Sequence, residues 1–405
     1  MTVKSRHDAE ALDAADPLAP LRDQFDLPEG VIYLDGNSLG PPPRAALKRI
    51  SETAKDHWGR DLIKSWNTAG WIDLPKRCGA KIAALIGADG DDVIVCDSTS
   101  VNIFKLASAL IKGRGGALAY EHDEFPTDGY ILQGLAAMSG AALLELNRPS
   151  PETAFADNVS VLIKSAVHYK TAVIADIPAW ERAAEKAGAV IVWDLSHAGG
   201  VIDLNLKADG ARYAVGCGYK YLNGGPGAPA YVYVEHDAAN RLAQPLSGWM
   251  GHARAFEFAG DYAPAAGVKR FACGTPPILS MASLDAALEV YDGVDMSAVE
   301  RKAKALGDIF LARAQRLGLD TVSPGIDERR GGHVSLKFAD GYAVVQALIA
   351  RGVIGDFRTP DLMRFGFAPL YLRYADIWDA ADALEDIIKS ESWRSPEFAT
   401  RKAVI

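Results

Sequence analysis

Three short stretches carry side chains whose types and placement could do chemistry together. Ala189-Val190-Ile191-Val192-Trp193-Asp194 reads as an apolar strand ending in a carboxylate, followed by Leu195-Ser196-His197. Ala214-Val215-Gly216-Cys217-Gly218-Tyr219-Lys220 reads as a second apolar strand ending at a lysine, with glycines on both sides as far as Gly227. Ligands of open α/β sheets sit outside the carboxyl ends of the strands. An acid there needs a cationic partner or bears a desolvation cost. A partly desolvated lysine can condense with an aldehyde, and the glycines let a bound ring approach the backbone. The third stretch, Asp97-Ser98-Thr99-Ser100, precedes a helix expected from Val101. Hydroxyls and free N–H groups at a helix start bind phosphate without added positive charge.

Each stretch alone has a plain structural reading: a turn-capping Asp, an exposed loop lysine, a Ser/Thr cap. Together they meet the needs of one cofactor. Pyridoxal 5'-phosphate requires an amine for its aldehyde, an acid for its pyridine nitrogen and a cup for its phosphate. The lysine block is not a dinucleotide fingerprint, because Gly216-x-Gly218 lacks the third glycine, and no phosphate-loop Gly-Lys-Ser/Thr occurs.

These residues must be held by alternating elements. Strands are expected at Val31–Leu34, Val93–Cys96, Gly116–Tyr120, Ala141–Leu144, Val159–Ile163, Ala189–Trp193, Arg212–Gly216 and Pro229–Val234. Helices are expected at Arg44–Trp58, Leu74–Ile86, Val101–Ile111, Pro126–Met138 and Ile177–Ala187. Apolar strands separated by helices imply a mostly parallel sheet covered on both faces. After Gly293 a long charged helix, Met296–Leu317, leads into strand Gly332–Phe338, helix Tyr342–Ala350, strand Val353–Asp356 and a last helix, Ala375–Lys389. The expected division is an N-terminal arm at 1–45 packing on the small domain, a large cofactor-binding domain at 46–293 and a small α+β domain at 294–405.

Composition agrees with an ordinary globular chain. Its 405 residues are 49% apolar and 23% charged, enough for roughly two to three domains with a sizeable core. A balance of 43 Lys+Arg against 52 Asp+Glu gives a net charge of −9, which argues against a nucleic-acid partner. The four cysteines are scattered and the histidines show no ligand spacing, so no disulfide and no metal site are expected. With no apolar leader or membrane-length run, the expectation is a cytoplasmic chain with no membrane partner.

Longer motifs point to a family. They are Tyr33-Leu34-Asp35-Gly36-Asn37-Ser38-Leu39-Gly40-Pro41, Ser65-Trp66-Asn67, Asp97 to Asn102, Phe125-Pro126-Thr127-Asp128, the block from Gly218 to Gly227, Gly248-Trp249-Met250-Gly251-His252, Gly274-Thr275-Pro276-Pro277, and Arg364 with Pro369-Leu370-Tyr371. The chain resembles the kynureninase family of fold-type-I pyridoxal-phosphate enzymes, from about Tyr33 to about Trp378. That resemblance implies a fold-type-I transferase-like architecture: a large α/β domain with a mostly parallel seven-stranded sheet, plus a small α+β C-terminal domain.

The resemblance also implies roles. Lys220 would hold the cofactor covalently and later move the substrate α-proton. Asp194 would pair with the pyridinium nitrogen, with His197 in the cofactor shell. Phe125 would stack on the ring and Asp128 would hydrogen-bond the cofactor. Thr99, Ser100 and Tyr219 would contact the phosphate, Tyr219 would also assist proton transfer, and Thr171 would be a further ligand. Trp249 and Thr275 would come from a neighbouring subunit, implying a homodimer with shared sites. Arg364 would clamp the substrate carboxylate, with Asn37 and Trp66 also on the substrate.

The implied reaction is hydrolysis of L-kynurenine to anthranilate and L-alanine in tryptophan catabolism, along the pathway that also serves NAD biosynthesis. Members that favour 3-hydroxykynurenine place a histidine and an asparagine where this chain has Trp66 and Thr275, so L-kynurenine should be the better substrate. A cysteine desulfurase is the nearest competing reading, but no cysteine follows Cys273. A non-catalytic binding protein would not need Lys220, Asp194 and Arg364 together.

Overall fold

The computed structural model describes residues 3–147, 149–326 and 328–402. A two-residue strand, β1 (Ile32–Tyr33), precedes the strands of the large sheet. Those are β2 (Val93–Val95), β3 (Ala117–Glu121), β4 (Ala142–Leu146), β5 (Val159–Ser165), β6 (Val190–Asp194), β7 (Tyr213–Gly216) and β8 (Tyr231–Val234). Their order is β2-β8-β7-β6-β5-β3-β4, and every neighbouring pair is parallel except those made by β8. Strands β2, β6, β7 and β8 are buried at every position, as a sheet covered on both faces requires. Two apolar clusters, one per face, form the core of this layer.

The helices of this domain are punctuated by sequence. Leu74–Ile86, Pro126–Ser139 and Ile177–Ala187 each have proline in the first turn and end at a glycine in the left-handed conformation: Gly87, Gly140 and Gly188. Proline lacks the N–H that a first turn leaves unpaired, and glycine bears no Cβ penalty at positive φ.

The C-terminal part carries β9 (Asp320–Thr321), β10 (His333–Lys337), β11 (Val353–Ile354), β12 (Asp356–Arg358) and β13 (Leu362–Gly366). The last of these was not expected. A charged Arg364 interrupts its short apolar run, and only the antiparallel sheet β12-β13-β10-β9 explains its burial. The single expected strand at Val353–Asp356 is in fact two. Val353–Ile354 pairs in parallel with Ile32–Tyr33, whereas Asp356–Arg358 pairs with β13. Gly355 marks the break, where a Cβ would sit 2.6 Å from the Phe365 ring.

The helix expected at Arg44–Trp58 is α-helical only for Arg44–Glu52 and widens to π turns over Thr53–Asp61. Gly59 weakens the α form there, and the Ser65 hydroxyl donates to the His57 carbonyl at 2.6 Å. An N-terminal helix, Arg6–Ala14, packs on the helix Tyr374–Ser390 and was also unforeseen. Among the described residues no helix is long and apolar enough to cross a membrane.

One buried contact gives the fold a pH signature. The Trp193 indole donates to Glu181 at 2.7 Å, and burial pushes Glu181 up to about 7. A carboxyl raised in the folded state contributes stability that is fully present below the unfolded value of about 4.3 and is lost as pH rises through about 7. Glu181→Gln keeps an oxygen for the indole and removes the titration. Denaturant unfolding should show the variant gaining up to about 3 kcal/mol on the parent between pH 4.5 and 8. Parallel stability profiles would show that Glu181 ionises freely in the fold.

Candidate active site

The carboxyl ends of β5, β6 and β7 stand in register, with Ser165 beside Asp194 and Asp194 beside Val215. Over them lies a cavity of about 280 Å³ lined by Ser98, Thr99, Ser100, Phe125, Asp128, Tyr169, Asp194, His197, Tyr219 and Lys220 among others. Eight residues expected from sequence therefore meet here, drawn from four separate segments.

Lys220 Nζ lies 3.0 Å from His197 Nε2 and 5.9 Å from the centre of the Phe125 ring. Its block is anchored from the N-terminal arm. Gly40 N–H donates to the Tyr219 carbonyl at 2.8 Å, and a Cβ on Gly40 would lie 2.3 Å from the Lys220 carbonyl oxygen. Only glycine permits that approach.

Asp194 is 6% exposed, accepts from the Ser196 N–H at 2.8 Å and makes no ion pair among the described residues. Asp128, in the first turn behind Phe125, is also buried. Burial, then the charges of Asp194 and Glu124, hold the Asp128 carboxyl well above the usual range. Two buried carboxyls without a cation beyond Lys220 among the described residues call for a positive group on a ligand. Burial likewise raises the Tyr219 phenol, keeping it protonated.

The phosphate cup differs in one detail from expectation. The helix begins at Thr99, not Val101, because Ser98 is the N-cap and accepts from the Val101 N–H at 3.4 Å. Thr99 and Ser100 are thus the first two helical residues, where backbone N–H groups have no intrahelical acceptor. A pyridoxal phosphate group fits this set: an amine, an unpaired acid, an aromatic face at Phe125 and a helix start with free donors.

The remaining expected residues lie elsewhere. Thr171 does not line the cavity. It sits in a tight turn where His168 Nδ1 accepts from the Lys170 and Thr171 N–H groups at 3.3 and 3.2 Å. That turn instead delivers Tyr169, which sequence reasoning missed, edge-on to Phe125 at 5.4 Å. Trp66 and Trp249 meet edge-to-face at 6.3 Å, and Trp249 stacks on Phe258 at 6.1 Å. Thr275 lines a separate cavity of about 230 Å³ with Asp97 and Met250.

Arg364 is fully buried and largely engaged. Nε donates to Asp356 at 2.9 Å, Nη2 to Asp356 and to Ser38 at 2.9 Å, and Nη1 to the Tyr169 carbonyl at 2.8 Å. Of five N–H groups one is left, on Nη1. Burial pushes Asp356 up, but the Arg364 charge outweighs it and holds the carboxyl below its usual range. Asn37 nearby is buried with both amide atoms lacking a partner among the described residues, pressed against Gly366.

Comparison with known proteins places this geometry. Solved structures with the same fold include the cysteine desulfurase CsdA from Escherichia coli, at TM-score 0.77 and 18% identity over 92% of this chain and 98% of that one. The subgroup IV aspartate aminotransferase of Thermus thermophilus follows at TM-score 0.68 and 17% identity, covering 88% of this chain and 99% of that one. At such identities they establish the fold alone. Residues 299–384 match the family model of the kynureninase C-terminal domain. Curated relatives named kynureninase are far more similar: the Burkholderia mallei (strain SAVP1) protein is 46% identical over 99% of this chain and 100% of its own length. The Pseudomonas fluorescens relative is 44% identical over 99% of each chain. Identity at that level across the whole length shows that this chain belongs to the kynureninase family.

Proposed function

We propose that the Lys220 cavity is where this enzyme, a pyridoxal-phosphate-dependent hydrolase, cleaves L-kynurenine to anthranilate and L-alanine. The observation that carries the reading is Lys220 beside His197, with an acid that makes no ion pair among the described residues, Asp194, in the same cavity.

When bound, pyridoxal phosphate supplies an aldehyde that condenses with amines and a ring that stores an electron pair. Lys220 Nζ would anchor that aldehyde and, when free, would move the substrate α-proton. Asp194 would pair with the ring nitrogen. Phe125 would stack on the ring, and Thr99 and Ser100 would hold the phosphate. The neutral Tyr219 phenol stands next to Lys220 and donates a proton as water adds to the γ-carbonyl. Arg364 takes the substrate carboxylate through its remaining Nη1 proton, oriented by Asp356, with Asn37 alongside.

The homodimer belongs to this reading. Trp249 and Thr275 lie off their own chain's cavity, which suits residues that serve a partner's site. Beside Trp249, Phe256 and Phe258 are exposed by 60% or more, apolar surface that a second copy would cover. The division at 1–45, 46–293 and 294–405 is supported by the arm's pairing of Ile32–Tyr33 with Val353–Ile354. A cytoplasmic location completes the reading.

Cofactor-loaded protein given L-kynurenine should release anthranilate, followed by its fluorescence. Absence of anthranilate would overturn the reading. Trp66 offers a flat apolar face framed by Trp71 and Trp249. A ring hydroxyl against it gains no partner, so kcat/KM for 3-hydroxykynurenine should be about 10- to 100-fold lower. Equal values would refute the pocket and leave the hydrolase standing.

A further inference from the structure

Beneath the helix start at Thr99 lies a lysine that the roles above do not use. Lys105 stands in the second turn of the helix Thr99–Ile111 and is fully buried. Its ammonium reaches back along the helix to the Asp97 carboxylate and across to the Phe271 carbonyl at 2.5 Å. Asn102 Oδ1 at 3.5 Å and Cys96 Sγ at 3.8 Å complete its surroundings. Burial pulls the Lys105 amine down, but Cys96 and the Asp97 carboxylate outweigh it and keep the group charged. An ammonium has three protons to donate, and the protein supplies acceptors for all of them.

The main anchor is a demanding piece of backbone. Asp97 sits at φ +49°, directly before the Ser98 N-cap. Aspartate tolerates the left-handed region better than most side chains, yet the conformation still costs energy and persists where the surroundings hold it. Three bonds hold this turn. Lys105 grips the Asp97 side chain, the Ala230 N–H donates to the Asp97 carbonyl at 2.9 Å, and Asn102 Nδ2 donates to the Cys96 carbonyl at 2.8 Å. The turn sets where the free N–H groups of Thr99 and Ser100 point. The second anchor, Phe271, lies four residues before Thr275, and Asp97 lines the same small cavity as Thr275.

We propose that Lys105 is a positioning residue that braces the turn at Asp97 against the Phe271 carbonyl and thereby holds the helix start in the shape that takes a phosphate. The inference rests on the reading of Thr99 and Ser100 as phosphate ligands. Lys105 itself does not touch the ligand, because it is fully buried and its protons are spent on protein acceptors.

The test titrates pyridoxal phosphate, and separately pyridoxal, which lacks the phosphate, into cofactor-free protein. The parent should prefer the phosphorylated ligand. Lys105→Met fills the space without the ammonium, and should weaken pyridoxal phosphate by about 10- to 100-fold while leaving pyridoxal within about threefold. That variant also leaves Asp97 without its counter-ion, a cost to folding. Lys105→Met combined with Asp97→Asn removes both charges, so it should unfold close to the parental denaturant midpoint. It still lacks the brace, and should bind pyridoxal phosphate about 10-fold or more below the parent. Parental affinity in the double variant would show that Lys105 only cancels the Asp97 charge, and overturns the proposal. Equal losses for the two ligands, or no loss for either, overturn it as well. A parent that binds both ligands equally would sink the phosphate reading of Thr99 and Ser100 first, and this inference with it.

Discussion

Lys220→Ala is expected to fold, to take up pyridoxal phosphate without a covalent link, and to lose turnover by about 10³-fold or more. On the proposed reading the lysine would have two duties that no neighbour can assume. It would present the amine that anchors the aldehyde, and it would carry the α-proton. His197 is the only titratable group within hydrogen-bond distance of Nζ among the described residues, and its burial keeps it a poor proton carrier. The fold should survive the change, since the Lys220 backbone carbonyl still accepts from the Asn223 N–H at 2.9 Å and Gly40 still reaches Tyr219. Borohydride should fix cofactor to the parent and not to the variant, and a small added amine should return part of the rate. A variant with parental kcat and no added amine would place the anchoring lysine elsewhere.

The parts of this site that were legible in the sequence are those written by local rules. Asp194 ends an apolar strand and Lys220 follows four residues after the end of another, and a strand end in a parallel sheet is a place in space as well as in sequence. Helix limits at Leu74–Ile86 and Ile177–Ala187 followed from proline and glycine punctuation. Arg364 was visible only by family likeness, because its strand has no alternating pattern. Its burial depends on Asp356, its direct cross-strand neighbour. His333 fell inside the expected strand Gly332–Phe338, but nothing in that pattern set it beside His197; the closeness appears only when β10 is laid beside the Lys220 block. Tyr169 was hidden for a related reason. The turn that His168 ties with two backbone bonds decides which of Tyr169 and Thr171 faces the cavity, and such a turn is a tertiary choice.

Asp194→Asn separates charge from geometry better than the alanine variant does. The amide oxygen can still accept from the Ser196 N–H, so the turn after β6 should persist. What disappears is the negative charge that, on the proposed reading, would face the cofactor ring nitrogen. In the parent that charge is 6% exposed and has no ion-pair partner in the described protein, so its full field is available to the ligand. Without it the ring nitrogen would lose the partner that favours its protonated form, and the ring would be a poorer store for an electron pair. The loss should be on the order of 10²-fold or more in kcat, about 3 kcal/mol of transition-state stabilisation. A second effect follows from Asp128, whose carboxyl is held high by burial and then by the Asp194 charge. Removing that charge should lower the Asp128 titration, a shift readable by isotope-edited infrared spectroscopy of the carboxyl band. The two readouts fail separately: an unchanged rate would mean that Asp194 does not govern the electron sink, and an unmoved Asp128 band would mean that burial alone sets it.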